Sequence, residues 1–231
     1  MSGGAEPTAA DLSGRLVHVA PERLDGWLAG FAERHGAVAW SATSPTTETI
    51  TLRASDGCTA ECRVPFPPFE LDDRAPFGGL VAHAIRARTV GVVLVRLGGY
   101  AVGVFHGTVM QASKVGSRPV HGRAAAGGWS QHRFARRREN QAHAALLAAA
   151  DVAARILLPG APTLDAVVAG GDRHAVDAVL ADPRLAALTA LLTRPLLDVP
   201  TPNRRVLDSA PTHFRVVSIR VRERSELHPP G

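Results

Sequence analysis

From Arg74 through Arg138 the chain carries not one Asp or Glu, a gap of 65 residues in a sequence of 231. A two-metal nuclease needs carboxylates on its central strands, yet the most apolar strand-like run, Val90–Val95, lies inside that gap. Cysteine is almost absent: Cys58 and Cys62 are the only two. Four apart on an extended strand they would lie about 13 Å from each other, beyond disulfide reach, and they read as two buried thiols. The ten histidines contain neither H-E-x-x-H nor a paired Cys/His arrangement, so no metal and no cofactor is expected. Ser130 lacks the G-x-S-x-G setting of a nucleophile elbow and Cys58 reads as a strand residue, so no covalent acyl-enzyme is expected either. The N-terminus has no basic flank and no apolar run of signal-peptide length. The Val-rich stretch from Thr89 to Phe105 is interrupted by Arg96 and Gly98-Gly99, short of the roughly 18 residues of a membrane span. A cytoplasmic protein without a membrane partner is the expectation.

Lysine occurs once, as Lys114, so the positive charge is arginine. Ten arginines and Lys114 give the acid-free stretch +11, against +5 for the whole chain, so the remainder is net acidic. Charge segregated in this way sets up a positive field over one part of the surface, whose commonest partner is nucleic acid. The hydrophobic content of 45% is ample for a core.

Two parts are expected: residues 1–75, a small α+β unit with a flexible N-terminal tail, and residues 76–231. In the first, Leu16–Val19 is a short extended run, and Pro21 opens a helix whose Leu24, Trp27, Leu28 and Phe31 form one apolar stripe ended by Gly36. Trp27 reads as packing. Strands are expected at Ala37–Ser41, Thr47–Arg53 and Thr59–Val64, the last two joined across Ser55-Asp56-Gly57. Proline and glycine between Pro65 and Gly79 mark the boundary.

In the second part a short helix, Leu80–Arg88, precedes an antiparallel meander: Val90–Leu97, Tyr100–Phe105 and Thr108–Lys114. The unbroken apolarity of Val90–Val95 requires cover on both faces, hence flanking helices. A basic, glycine-rich stretch, Val115–Ser130, has no periodicity, and a loop of that length inside a compact domain is usually functional or disordered. A helix of about 26 residues runs from His132 to Leu157 before Pro159-Gly160. Its first turns hold Arg133, Arg136, Arg137 and Arg138, positive charge where the helix dipole disfavours it. Leu164–Ala169 is a buried strand and Asp172 a candidate cap for a helix to Leu180. Another helix is expected over Pro183–Leu192 and a short one over Asn203–Ser209. His213–Val221 reads as an exposed or edge strand with Phe214 and Val216, and further along Ile219 and Val221, facing the core.

Where loop and helix meet stands Gly127-Gly128-Trp129-Ser130-Gln131. This order of three strands, a basic Gly-Gly…Gln loop, a long helix and a strand ending in Ala-Gly-Gly-Asp resembles the catalytic middle domain of archaeal and eukaryotic peptide-chain release factors. More closely, it is similar to the actinobacterial Vms-type release-factor-like peptidyl-tRNA hydrolases, over about residues 90 to 222. The resemblance implies an RNase H-like α/β fold with a three-layer mixed sheet, and a loop that enters the peptidyl-transferase centre of the large ribosomal subunit and hydrolyses the ester of peptidyl-tRNA. It maps the family's glutamine to Gln131 and its glycines to Gly127 and Gly128. Release factors proper have Gly-Gly-Gln uninterrupted, whereas here Trp129 and Ser130 intervene. With no codon-reading segment evident, rescue of stalled ribosomes is expected rather than stop-codon decoding. The expected partners are peptidyl-tRNA and rRNA, held by Arg133, Arg136, Arg137 and Arg138, with Lys114, Arg118 and Arg123 as further contacts, and the protein is expected to be a monomer in solution. Trp129 either stacks on an unpaired base or folds back over the helix. The alternative is a non-catalytic RNA- or ribosome-binding protein.

Overall fold

A computed structural model of the chain describes residues 14–42, 46–96, 99–117 and 130–224, with backbone alone for residues 46–47 and 130–138. The elements in order are β1 (Arg15–Val19), α1 (Pro21–His35), β2 (Val38–Ala42), β3 (Thr46–Thr47), β4 (Thr49–Ala54), β5 (Thr59–Arg63), β6 (Phe69–Glu70) and α2 (Leu80–Ile85). They continue with β7 (Thr89–Arg96), β8 (Gly99–His106), β9 (Val109–Ser117), α3 (Ser130–Leu157), β10 (Ala166–Gly171), α4 (Arg173–Leu180), α5 (Ala186–Thr189), β11 (Leu192–Leu197), α6 (Arg204–Ser209), α7 (Pro211–Phe214) and β12 (Val217–Arg222). Two compact units result, one from the described residues of Met1–Arg86 together with those of Arg215–Gly231, the other from Ala87–Phe214.

The first unit is a five-stranded antiparallel sheet in the order β1-β12-β5-β4-β2. Pro21 opens α1 and Gly36 closes it, and Leu24, Leu28 and Phe31 are buried with Ile50, Leu52, Ala60, Cys62, Val217 and Ile219. Trp27 stacks on Phe31 with ring centroids 5.6 Å apart, as packing. Both thiols are buried and free. Burial pushes the Cys62 thiol up to about 12, so it stays protonated.

Two features of this unit depart from the sequence expectation. The break falls at Arg86/Ala87 rather than near residue 75, and the last strand belongs to the first unit, not to the second. Strand β12 is not an edge: it lies between β1 and β5, antiparallel to both. Ile219 is buried as expected, but its inward neighbour is Val217 and not Val216, and Arg222 is buried against Glu61 in an ion pair. Alternation along Val216-Val217 is ambiguous by itself, and only the partner strands set the register.

The second unit is an α/β domain around a mixed sheet ordered β11-β10-β7-β8-β9. Strands β7, β10 and β11 are parallel, and β8 is antiparallel to β7 and β9. Numbered along this unit alone the order is 3-2-1-4-5, that of an RNase H-like fold. Val90–Val95 is buried throughout, as its apolarity required. Val93, Val95, Val102, Val167 and Ala169 pack with α3 and α4, whereas Phe105 meets Phe214 edge-to-face at 6.1 Å and α6 lies against β8. Helix, sheet and helix form three layers.

Asp172 caps α4 by accepting from the Ala175 N–H at 2.9 Å, and Asn203 caps α6 through the Val206 N–H at 3.0 Å. The Gly-Gly-Asp turn has a packing reason: Gly171 sits at φ 106 and a Cβ there would fall 2.1 Å from the Val95 carbonyl oxygen. Residues Pro183–Leu192 do not form the expected single helix. A 3-10 turn (Pro183–Leu185) and α5 give way to β11, an edge strand that the sequence disguises because Pro195 reads as a break; only an edge tolerates it. Helix α3 starts two residues earlier than expected and spans 28 residues, about 42 Å. The stretch Glu139–Thr163, the rest of α3 together with the 3-10 helix that follows it (Leu158–Thr163), is by length and composition apolar enough to cross a bilayer, against the sequence expectation. Here Ala149, Ala150, Val152, Ala153 and Leu157 are buried in the core of the unit, and Asp151 pairs with Arg184 at 2.7 Å.

That ion pair is part of a triad. Arg184 also holds Asp182 at 2.6 Å, and Asp182 accepts from the Arg184 N–H at 3.0 Å. These bonds from Arg184 hold the Asp182 carboxyl down at about 2, below its ordinary 3.8. The stabilisation is therefore complete above the ordinary value and disappears as pH falls through about 2. Asp182→Asn should unfold at a lower temperature than the parent at pH 7, and the difference should vanish near pH 2; a gap independent of pH, measured by thermal melts, would assign the effect to shape instead of charge.

Candidate nucleic-acid interface and loop

Strand β9 is the far edge of the second sheet, paired only with β8, and it runs on to Ser117, three residues past the expected Lys114. Ser117 ends β9 and Ser130, after an interval of twelve residues, begins α3, which packs against β8 and β9. Gly127, Gly128, Trp129, Arg118 and Arg123 fall in this interval, outside the described residues. Gln131 does not: its backbone is helical, the second residue of α3, so the glutamine assigned to a loop stands at the loop's junction with the helix. Arg133, Arg136, Arg137 and Arg138 follow on the same helix, whose first turn carries no acidic residue, and Glu139 comes directly after them.

Among the described residues of α3, Glu139 and Asn140 are exposed and full burial begins only at Ala149. Gln131 is 18 residues before that point, about 27 Å along the axis. Among the described residues, 139–148 therefore give the core no fully buried side chain.

The β9 edge adds cationic groups. Lys114 is exposed, opposite Val102 in the ladder. Arg204, at the start of α6, donates to the Ser113 hydroxyl at 3.3 Å and so lies beside β9; it was not singled out from the sequence, where it looks like one more arginine after an Asn cap. Asp208 at 2.9 Å neutralises part of its charge. At the strand's end Gly116 faces Tyr100, and a Cβ on Gly116 would fall 2.3 Å from the tyrosine ring. Gly116→Val should displace Tyr100 and cost about 1–3 kcal/mol, a fall of about 2–4 °C in Tm per kcal/mol for a chain of this size. A melt unchanged from the parent would show that the ring is not seated there.

The carboxylates near this sheet are used structurally. Asp165 accepts from the Thr89 N–H at 2.7 Å, Asp172 and Asp182 cap, and β7 contains none. The donor set of a two-metal site is not assembled among the described residues of this unit.

The sheet order gives the second unit the mixed-sheet α/β topology of an RNase H-like domain. Residues 88–220 match the model of the family described as Actinobacteria/chloroflexi VLRF1 release factor, more than half of the chain, and the chain belongs to that family. Similar solved structures include one titled "Archaeal protein", 14% identical with a TM-score of 0.39, covering 71% of this chain and 51% of that one. Another is a crystal structure of the archaeal translation termination factor aRF1, 14% identical with a TM-score of 0.38, covering 83% of this chain and 61% of that one. The chain thus spans about half to three-fifths of the length of these two structures. No curated protein matches.

Proposed function

We propose that this protein is a cytoplasmic, ribosome-associated peptidyl-tRNA hydrolase that frees nascent peptides from stalled ribosomes or large subunits. The observation that carries the reading is the start of α3: in a chain of a release-factor family, Gln131 stands at a helix N-terminus directly after Gly127-Gly128-Trp129-Ser130 and shortly before the arginines Arg133, Arg136, Arg137 and Arg138.

The chemistry follows from that position. Hydrolysis of the peptidyl ester needs a water aligned with the carbonyl carbon and donors for the negative charge that develops on the carbonyl oxygen. The first four N–H groups of an α-helix have no intrahelical acceptor, so the Gln131 N–H is available for that oxygen, and the helix dipole favours charge of that sign. The side-chain amide, donor and acceptor at once and untitratable, orients the water. Gly127 and Gly128 let the backbone approach the tRNA acceptor end without a Cβ in the way. Arg133, Arg136, Arg137 and Arg138, joined by Lys114, Arg118 and Arg123, bind the phosphates of tRNA and rRNA, and Trp129 stacks on an unpaired base.

The direct experiment gives purified protein large subunits loaded with peptidyl-tRNA and follows release of free tRNA. Turnover supports the hydrolase; tight binding with no release would leave a ribosome-binding protein.

A further inference from the structure

We propose that His35, Asp56 and Cys58, all in the first unit, form a binding site for one divalent cation of the zinc class. A ring nitrogen of His35, a carboxylate oxygen of Asp56 and the Sγ of Cys58 all lie within 4.8 Å of one another. Tetrahedral zinc bonds of about 2.0–2.3 Å place such ligand atoms about 3.3–3.6 Å apart. The His35 Nδ1 to Asp56 Oδ2 contact of 2.8 Å would open by about 0.5 Å to admit the ion, a shift within the reach of side-chain rotation.

The three donors arrive from two elements that the backbone ties together. His35 ends α1; Asp56 and Cys58 flank the tip of the turn between β4 and β5. The Ser55 N–H donates to the Ala37 carbonyl at 2.9 Å, the Ser55 hydroxyl donates to the His35 carbonyl at 3.3 Å, and the Cys58 N–H donates to Asp56 Oδ1 at 2.9 Å. Gly36 permits this approach, since a Cβ there would lie 2.3 Å from Ser55 Oγ. The His35 ring is fixed from its other side by Phe31, with centroids 4.7 Å apart. Such preorganisation of a ligand set by surrounding contacts is what raises metal affinity.

The donor types select the ion. A thiolate and an imidazole suit zinc and disfavour calcium and magnesium, which take oxygen ligands. Cys58 is buried, while the His35 side chain is 19% exposed and that of Asp56 42%, so one side of the trio faces solvent and a water can complete four-coordination. A bound ion would clamp the end of α1 to the β4–β5 turn. The sequence conceals the site because His35 stands 21 residues before Asp56, with none of the short spacings that mark zinc motifs.

The test titrates the full-length metal-free protein with Co(II) as a spectroscopic probe and then displaces it with Zn(II). One equivalent should bind with tetrahedral visible absorption and a thiolate-to-cobalt band, and zinc should abolish both. Cys58→Ser should remove the thiolate band and Cys62→Ser, with its thiol outside the trio, should keep it. His35→Gln and Asp56→Asn, both at partly exposed positions, should weaken zinc binding about tenfold or more. Absence of stoichiometric binding, a band that survives Cys58→Ser, or unaltered affinity in His35→Gln and Asp56→Asn would each overturn the site. Should Cys58→Ser not fold, by circular dichroism, the two exposed-site variants decide alone.

Discussion

Gln131→Ala should lose peptide release by about 10²–10³-fold while binding the large subunit as tightly as the parent. The magnitude is that of deleting one preorganised donor from an oxyanion site, and the separation from binding follows because the charged contacts remain. Stability should change little, because Gln131 is the second residue of α3 and Ala is a better helix former than Gln. Single-turnover release from peptidyl-tRNA on isolated large subunits, a binding isotherm and a melting curve give the three readings together. Full retained release would remove Gln131 from the catalytic centre and return the Gly-Gly…Gln segment to the status of a basic tether. Because the glutamine amide does not titrate, the residual pH dependence of the parent reaction should be that of hydroxide and tRNA ester chemistry, without a bell-shaped profile from an enzyme acid and base.

Simultaneous replacement of Arg136, Arg137 and Arg138 by Ala should weaken ribosome binding and flatten the log–log dependence of affinity on salt by about 2 to 3, one counterion-release contribution per lost phosphate contact. The same substitutions should leave the melting temperature unchanged or raise it. Arg136, Arg137 and Arg138 are the seventh to ninth residues of α3, past the first turn in which the helix dipole is felt, and Ala is at least as good a helix former as Arg, so no loss of stability is expected. Binding lost with stability kept is the signature of charge kept for a partner. An unaltered salt slope would show that other residues, such as Lys114 and Arg204, carry the phosphate contacts.

Much of the architecture was legible in local pattern. The stripe Leu24, Trp27, Leu28, Phe31 gave α1, the apolar run of Val90–Val95 gave a doubly covered strand, and Asp172 and Asn203 announced their helices. What local pattern concealed was pairing between residues far apart. Nothing in Val217–Arg222 says that its neighbours are β1 and β5, so its arginines looked like those of an edge strand and Val216 looked inward. Pro195 hid β11 because a proline in a strand is readable only once the strand is known to be an edge. The candidate site divides in the same way. Gln131 and the arginine run are contiguous and stood out at once, whereas Arg204 beside Ser113, and His35 beside Asp56 and Cys58, come together only through the fold.

The place of β12 has a consequence for biosynthesis. Residues 87–214 interrupt the first unit in chain order, and the strand that joins β1 to β5 is made after all of them. During vectorial synthesis the second unit has its whole sheet, β7 to β11, before the first unit has the strand between β1 and β5. The inserted unit is therefore able to fold first, while β1 and β5 wait with open edges for Val217–Arg222 to emerge. Premature arrest after α7 and before β12 yields a chain whose second unit has all its elements and whose N-terminal sheet lacks the strand that joins β1 to β5.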